Sequence, residues 1–182
     1  GVEIKIKRKG SIINNGTFIV GDNKKTDSLF TFKSNLLKDI SFPYNVILKS
    51  KNEDFIISGN GNLILNGAFI KKAKFNYNGK INFNNSLFFK SKIELDSSIF
   101  IVENSFFDDI NILVNNSDIS LNNSLLINTS SPFYIKNLKN ILINNSIIYN
   151  NNGFVLSNVF NGNFLNNIFL RNTKTIDFNK NN

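Results

Sequence analysis

The chain has 182 residues, of which 21 are Lys or Arg and 13 are Asp or Glu, so its formal net charge at pH 7 is +8. The absence of Cys and His excludes disulfide bridges, thiolate metal sites and imidazole ligands. With only two Pro residues and no Ser/Gly-rich linker, this length predicts one domain, residues 1–182.

The chain begins with an amphipathic segment. Val2, Ile4 and Ile6 alternate with charged residues, which is the period of a strand with one apolar face. Further on, the stretch from Asn15 to Ile19 resembles the stretch from Asn66 to Ile70. Residues 1–53 are therefore interpreted as irregular N-terminal rungs or a cap, and residues 54–178 as regular repeats.

Beyond residue 53, one short phrase occurs six times. Each copy reads apolar-Asn-Asn-small-apolar with small variations, and another apolar residue usually stands two positions upstream. The third residues of the copies lie 18 to 22 positions apart, and repeats of this length are typical of solenoids. The copies are Leu65–Phe69, Phe83–Leu87, Val102–Phe106, Leu121–Leu125, Ile143–Ile147 and Leu165–Phe169.

The phrase predicts a strand followed by a sharp bend. Alternation indicates the strand, and Asn, like Gly67 in the first copy, tolerates the left-handed backbone that a bend requires. If the copies stack about 4.8 Å apart, the amides at the third position form a hydrogen-bonded ladder. The predicted ladder consists of Asn85, Asn104, Asn123, Asn145 and Asn167. The apolar column predicted to fill the interior is Phe69, Leu87, Phe106, Leu125, Ile147 and Phe169.

The stretch Ile141–Leu156, which reads ILINNSIIYNNNGFVL and continues to Asn166 and Asn167, resembles the right-handed parallel β-helix repeat. That repeat is found in pectate-lyase-like enzymes, phage tailspikes, adhesins and other surface proteins. The likeness covers about residues 54–178 and implies an all-β right-handed β-solenoid. At about 20 residues per rung, the single domain of 182 residues would have roughly nine rungs. It implies no single activity, because one scaffold hosts many functions.

The polar residues predict no catalytic site, cofactor or metal. Lyases that the chain resembles typically use Ca²⁺-binding carboxylates and an Arg base, whereas Arg8 and Arg171 here lie beside no carboxylate cluster. The strongest carboxylate candidates are Glu94, Asp96, Glu103 and Asp118, on neighbouring predicted rungs. Nucleic acid is not expected as a partner because the cations are almost all Lys, which lacks the bidentate geometry of Arg.

Charge is distributed unevenly along the chain. Residues 1–93 contain 16 Lys or Arg against 6 Asp or Glu, a balance of +10, whereas residues 94–182 contain 5 against 7, a balance of −2. Because sequence order is axial order in a solenoid, one end is predicted to be basic. Two interpretations of this imbalance are open. The lysines can form a coat that keeps exposed strands soluble, or they can attract another copy of the chain or an anionic partner.

These features predict a non-enzymatic, extracellular structural protein, the β-solenoid subunit of a surface fibre, stalk or layer that associates head to tail with itself. The extracellular placement depends on the fold, the absence of an initial Met and the Asn-rich composition. Val2, Ile4 and Ile6 are the predicted assembly contact. The alternative is a carbohydrate-binding or carbohydrate-cleaving module of an adhesin or tailspike, with surface glycans as partners. No transmembrane run is present, so membrane insertion is not expected.

Overall fold

The structure is a computed structural model, in which the described residues contain 25 strands and no helix. The described residues are 2–5, 11–14, 16–20, 29–32, 40–43, 46–49, 54–129, 133–137, 140–149, 154–158, 161–172 and 176–179.

The strands follow one another in turns of three. The first turn is β1 (Val2–Lys5), β2 (Ser11–Asn14) and β3 (Thr17–Val20), and it is followed by an antiparallel hairpin of β4 (Leu29–Phe32) and β5 (Ile40–Pro43). The next three turns are β6 (Val46–Lys49), β7 (Phe55–Gly59), β8 (Asn62–Asn66); β9 (Ala68–Lys71), β10 (Ala73–Tyr77), β11 (Lys80–Asn84); and β12 (Leu87–Phe89), β13 (Lys92–Asp96), β14 (Ile99–Glu103).

The remaining strands continue the same pattern. They are β15 (Phe106–Asp108), β16 (Asn111–Asn115), β17 (Asp118–Asn122); β18 (Leu125–Ile127), β19 (Phe133–Lys136), β20 (Asn140–Asn144); β21 (Ile147–Tyr149), β22 (Phe154–Ser157), β23 (Asn161–Leu165); and β24 (Ile168–Leu170) with β25 (Ile176–Asn179).

Three parallel sheets form the faces of the solenoid. Sheet A has the order β1-β6-β9-β12-β15-β18-β21-β24, sheet B the order β2-β7-β10-β13-β16-β19-β22-β25, and sheet C the order β3-β8-β11-β14-β17-β20-β23. The predicted all-β parallel solenoid is thus confirmed, with six complete turns from β6 to β23 after the first. The hairpin β4–β5 departs from the rung pattern, since it pairs antiparallel within residues 29–43.

Most of the described corners between sheets contain a residue in the left-handed backbone conformation. Fourteen non-Gly residues among those described have φ between 47° and 59°, and all of them lie at corners. Nine of the fourteen are Asn, because its short polar side chain tolerates this conformation better than most. The use of such residues at corners accounts for part of the Asn content of the chain.

The interior is filled by apolar side chains that alternate along the strands. The column upstream of the repeated phrase is buried as its alternation predicts, and it comprises Leu63, Ile81, Phe100, Ile119 and Ile141. Aromatic rings pack closely at the centre, with centroids 4.4 Å apart for Phe83 and Phe88 and 4.9 Å apart for Phe88 and Phe107. Such pairs add about 0.5–1.5 kcal/mol each beyond burial.

Apart from Phe169, the apolar column that ends each phrase does not fill the interior, contrary to the prediction. Phe69, Leu87 and Phe106 belong to a separate buried cluster with Ile47 and Ile127, on the opposite face of sheet A from the main core. The interior column of sheet A is the next residue in each turn: Leu48, Ile70, Phe88, Phe107, Leu126, Ile148 and, half-buried, Phe169. The prediction carried the alternation of the sheet C strand through the corner into sheet A. The bend at the corner residue breaks that alternation, so that the second apolar residue of the sheet A strand, and not the first, points inward.

Candidate functional site

Four of the five residues predicted to form the ladder lie at the tip of the corner between sheets C and A. Asn85, Asn104, Asn123 and Asn145 have φ between 47° and 49°, and their side chains are exposed. Their backbone N–H groups donate to the last strand residue of the next turn, as Asn85 N does to Glu103 O at 3.1 Å. Asparagine at these positions therefore shapes the backbone of the corner.

The residue after each corner tip forms a buried hydroxyl ladder. Ser86 N–H donates to Ser105 Oγ at 3.1 Å, Ser105 N–H to Ser124 Oγ at 3.2 Å, and Ser124 N–H to Ser146 Oγ at 3.2 Å. Asn167 ends this column, since its Oδ1 accepts from Ser146 N at 2.9 Å. The sixth phrase is thus shifted by one residue: Asn166, with φ 54°, is its corner tip.

Asparagine side-chain ladders are also present, as predicted, although the hydrogen bonds recorded join other asparagines. They occur where side chains leave the sheet at or next to a corner, and most of them join residues in register on adjacent turns. The bond from Asn137 to Asn115 is offset by one residue, since Asn115 is in register with Lys136. The recorded donations are Asn84 to Asn66 at 3.0 Å, Asn137 to Asn115 at 3.0 Å, Asn158 to Asn137 at 3.0 Å, Asn161 to Asn140 at 3.3 Å, Asn115 to Asp96 at 2.8 Å and Asn140 to Asp118 at 3.1 Å.

The four candidate carboxylates do not form one group. Glu94 and Asp96 share β13 in sheet B, whereas Glu103 ends β14 and Asp118 begins β17 at opposite ends of the strands of sheet C. The described residues contain no group of three or more Asp or Glu that could hold a metal ion.

Glu94 is held by two lysines, Lys74 Nζ at 2.9 Å and Lys92 Nζ at 2.5 Å. The hydrogen bond from Lys92, supported by Lys74 and opposed by partial burial, lowers the pKa of the Glu94 carboxyl. An ionised carboxylate in this environment is a poor proton donor.

An open furrow lies on the outer face of sheet B. Two adjoining hollows of about 450 and 320 Å³ share Asn76 and Asp96 in their linings. Beside these polar groups, Leu113 and Tyr134 stand in register on adjacent strands and are 40% and 41% exposed. The furrow thus combines amide and carboxylate hydrogen-bonding groups with a short apolar strip.

Interior residues of the end turns are incompletely covered, on sheets B and C at one end and on sheets C and A at the other. Ile12 and Phe18 in the first turn, and Phe164 and Phe169 at the other end, pack against the core but are only half-buried. Their counterparts one turn inward are at most 1% exposed: Ile57, Leu63, Ile143 and Ile148.

Outward-facing apolar side chains on the same end turns are also exposed. Ile13 and Ile19 are 72% and 57% exposed, and Leu165, Ile168 and Leu170 are 49%, 49% and 51% exposed. The sequence prediction places none of these residues on an exposed apolar surface, although Leu165 and Ile168 belong to the sixth repeated phrase. The sequence contains a sign of these exposed residues, because apolar residues alternate in the first and last turns in the same way as in the middle turns.

The predicted assembly contact falls on the outermost strand of sheet A. Val2 and Ile4 belong to β1 and are in register with Val46 and Leu48 of β6. Ile4 thus stands at the position of a buried interior residue one turn further on. Ile6 lies outside the described residues.

Comparison of the chain with family models, with curated proteins and with solved structures gave no match. In the described part of the chain, no helix is long and apolar enough to cross a membrane.

Proposed function

We propose that this protein is a non-enzymatic structural protein, a β-solenoid subunit of an extracellular fibre, stalk or layer that associates head to tail with copies of itself. The observation that carries the proposal is the half-buried state of the interior residues at both end turns, Ile12 and Phe18 at one end and Phe164 and Phe169 at the other. A second copy stacked on either end would cover these side chains, and burying apolar surface contributes about 25 cal/mol per Å².

The polarity of the sheets supports head-to-tail stacking. In sheets A, B and C, all neighbouring strands are parallel, so a first turn placed on the last turn of another copy continues every sheet in the same direction. Such a contact joins two different surfaces, and repetition without ring closure gives a filament. The basic balance of residues 1–93 and the acidic balance of residues 94–182 favour the same orientation.

Electron microscopy of negatively stained protein over a range of concentrations tests the proposal. We expect fibres whose axial repeat is one subunit height, and we expect salt to change their length because the two ends differ in charge. Isolated rods at every concentration and salt would overturn self-association.

A matched pair of variants separates end-to-end stacking from side-by-side contact. Ile168 and Ile147 are in register on adjacent strands of sheet A, outward-facing and 49% and 39% exposed. Ile168→Lys replaces an apolar side chain by a charge beside the stacking surface of the end turn and should weaken stacking, whereas Ile147→Lys one turn inward should leave it intact. Equal loss of assembly in both variants would indicate lateral association.

The predicted assembly contact gives the complementary test at the other end. Replacing Val2, Ile4 and Ile6 with Lys should leave the monomer folded, by circular dichroism, and prevent fibre formation. Unchanged assembly would refute this assignment of the contact while leaving the Ile168 test independent.

Carbohydrate binding is the second candidate function, and the furrow on sheet B favours it. Amide and carboxylate groups suit sugar hydroxyls, and the exposed Leu113 and Tyr134 offer an apolar strip to the face of a sugar ring. A rise in melting temperature with one member of a polysaccharide panel, lost in Tyr134→Ala, would support this function.

A further inference from the structure

Two stacked corners between sheets B and C have the sequence Asn-Gly. Asn60 and Gly61 connect β7 to β8, and Asn78 and Gly79 connect β10 to β11 on the next turn. The fold requires the second glycine, because a Cβ at position 79 would lie 2.1 Å from Gly61 O. The chain therefore keeps a residue without a side chain immediately after Asn78.

At the second of these corners, a side-chain amide and the backbone nitrogen after it are both unengaged. The backbone nitrogens on either side donate to the previous turn. Asn78 N donates to Gly59 O at 3.0 Å, and Lys80 N donates to Gly61 O at 3.1 Å. Gly79 N, between them, donates to no acceptor among the described residues. The Asn78 side chain is exposed and makes no hydrogen bond within the part of the chain that the structure describes.

An Asn side chain and the backbone nitrogen of the next residue are the groups that react in deamidation. The Gly79 nitrogen attacks Cγ of Asn78 and forms a succinimide ring, while the bond from Cγ to the side-chain nitrogen breaks. That nitrogen leaves as ammonia, together with the proton of the Gly79 amide. Water then opens the ring at either of its carbonyls and leaves aspartate or isoaspartate. Glycine favours the attack because it places no Cβ beside the nitrogen, and an unbonded N–H has no hydrogen bond to break first.

We infer that Asn78 is a modification site, at which the side-chain amide is lost by spontaneous deamidation. The same dipeptide at Asn66 is protected by the fold. Asn66 is buried, and its Oδ1 accepts from Asn84 Nδ2 at 3.0 Å. The nitrogen after it is also engaged, since Gly67 N donates to Asn84 O at 3.0 Å. Asn66 therefore reacts only when this corner opens.

The other described Asn-Gly pairs are more constrained than Asn78. Asn60 is exposed, but Gly61 N donates to Asn14 O at 3.4 Å, a long hydrogen bond that gives partial protection. The pair that begins at Asn161 lies within β23, where Asn161 Nδ2 donates to Asn140 Oδ1 at 3.3 Å. The structure thus ranks identical dipeptides by the state of their reacting groups.

The modification changes the charge of the furrow on sheet B. Asn78 lines the hollow of about 320 Å³ together with Asn76 and Asp96. Deamidation adds a second carboxylate to a lining in which Asp96 is the one charged residue, and it lowers the formal net charge from +8 by one. An aged chain therefore differs from a new one in the charge of a surface that is open to solvent.

Mass spectrometry of the full chain after incubation tests the inference. The folded protein and the protein unfolded in guanidinium chloride are incubated at neutral and at mildly alkaline pH, and then digested with pepsin at acid pH, where deamidation is slow. In the folded chain, Asn78 should deamidate at least about tenfold faster than Asn66, with Asn60 between them. In the unfolded chain the three rates should converge, because the dipeptide is the same. The rates should rise with pH, because the attacking nitrogen must lose its proton.

Two variants give matched controls in isoelectric focusing of the incubated protein. Asn78→Gln forms the cyclic intermediate far more slowly because its side chain is longer, so the acidic band that accumulates in the wild type should be lost. Asn78→Asp should focus at the position of that band from the start.

Three results would overturn the inference. Equal rates at Asn78 and Asn66 in the folded chain would mean that burial and hydrogen bonding do not control the reaction. A faster rate at Asn60 than at Asn78 would mean that the unbonded Gly79 N–H is not the deciding feature. An acidic band that accumulates in Asn78→Gln as fast as in the wild type would place the modification elsewhere. The reaction needs no fibres, so its failure is independent of the failure of self-association.

Discussion

Removing one hydroxyl from the buried serine ladder should destabilise the solenoid measurably. Ser105 is 3% exposed, and its Oγ accepts from Ser86 N at 3.1 Å while its hydroxyl donates to Glu103 O at 2.8 Å. In Ser105→Ala these hydrogen bonds are lost, together with a third from the Ser105 hydroxyl to Phe83 O at 3.4 Å, and the smaller side chain offers Ser86 N–H no other acceptor at that position.

The expected loss follows from the state of each former partner. Ser86 is fully buried, so its N–H loses a partner where water is excluded, at a cost of about 1–3 kcal/mol. Glu103 O still accepts from Asn85 N at 3.1 Å, so the loss of the serine hydroxyl adds little there. The free energy of unfolding should therefore fall by about 2 kcal/mol.

Urea unfolding followed by far-ultraviolet circular dichroism measures this loss, since the chain has no Trp for fluorescence. Ser58→Ala is the control, because Ser58 is half-buried on β7 and its replacement leaves no buried donor of the described residues without an acceptor. Its effect should stay within about 0.5 kcal/mol. Amide hydrogen exchange should also show faster exchange at Ser86 in Ser105→Ala than in the wild type.

An unfolding free energy equal to that of the control, with the same dependence on urea, would refute the reasoning. It would mean that the Ser86 N–H finds water or another acceptor after the substitution. If hydrogen exchange at Ser86 were also unchanged, the new acceptor would have to bond to the Ser86 N–H itself.

Three further predictions concern single side chains. Asn84 Oδ1 is buried with no hydrogen-bond partner, because the residue in register with Asn84 on the next turn is Glu103 and not another Asn. Glu103→Asn should supply an amide donor and raise the unfolding free energy by about 1 kcal/mol in the same urea assay. A decrease would contradict this. At the corner tip, Asn85→Gly should be nearly neutral while Asn85→Ala should cost about 1–2 kcal/mol, which thermal melts would compare; equal costs would contradict a role in backbone shape. The pKa of Glu94 is lower in the folded than in the unfolded chain, so ionised Glu94 stabilises the fold above the unfolded value near 4.5, and this stabilisation is lost as pH falls through the folded pKa. On going from neutral to acid pH, the melting temperature should therefore fall less in Glu94→Gln than in the wild type.

The architecture could be predicted because the repeat constrains it strongly. Apolar residues with period 2, followed by Asn or Gly at near-constant spacing, leave few folds other than stacked strands with bends. The buried column from Leu63 to Ile141 follows from this pattern alone. The corner at Gly67 does as well, because glycine there marks the left-handed position of the phrase.

The identity of the ladders could not be predicted from the phrase. Two adjacent asparagines are chemically identical, and only the backbone decides which one bends and which one ends the strand. The position after the corner is recognisable in the sequence only as a small residue, yet the hydroxyl of its serine accepts from the turn before it, as Ser105 does from Ser86. In the sixth phrase Leu165 takes the place of the first Asn, so Asn166 bends the chain and Asn167 occupies the serine position.

At the corner between sheets A and B, the fold requires a left-handed backbone conformation but no particular side-chain charge. The corner tips Lys72, Lys90, Asp109, Asn128 and Arg171 all have φ between 49° and 59°. They include both signs of charge and a neutral amide, so the backbone requirement does not select charge. Asn meets that requirement most readily and is used at most of the other corners. Lysine on two successive turns is therefore a choice that the backbone of the corner does not impose.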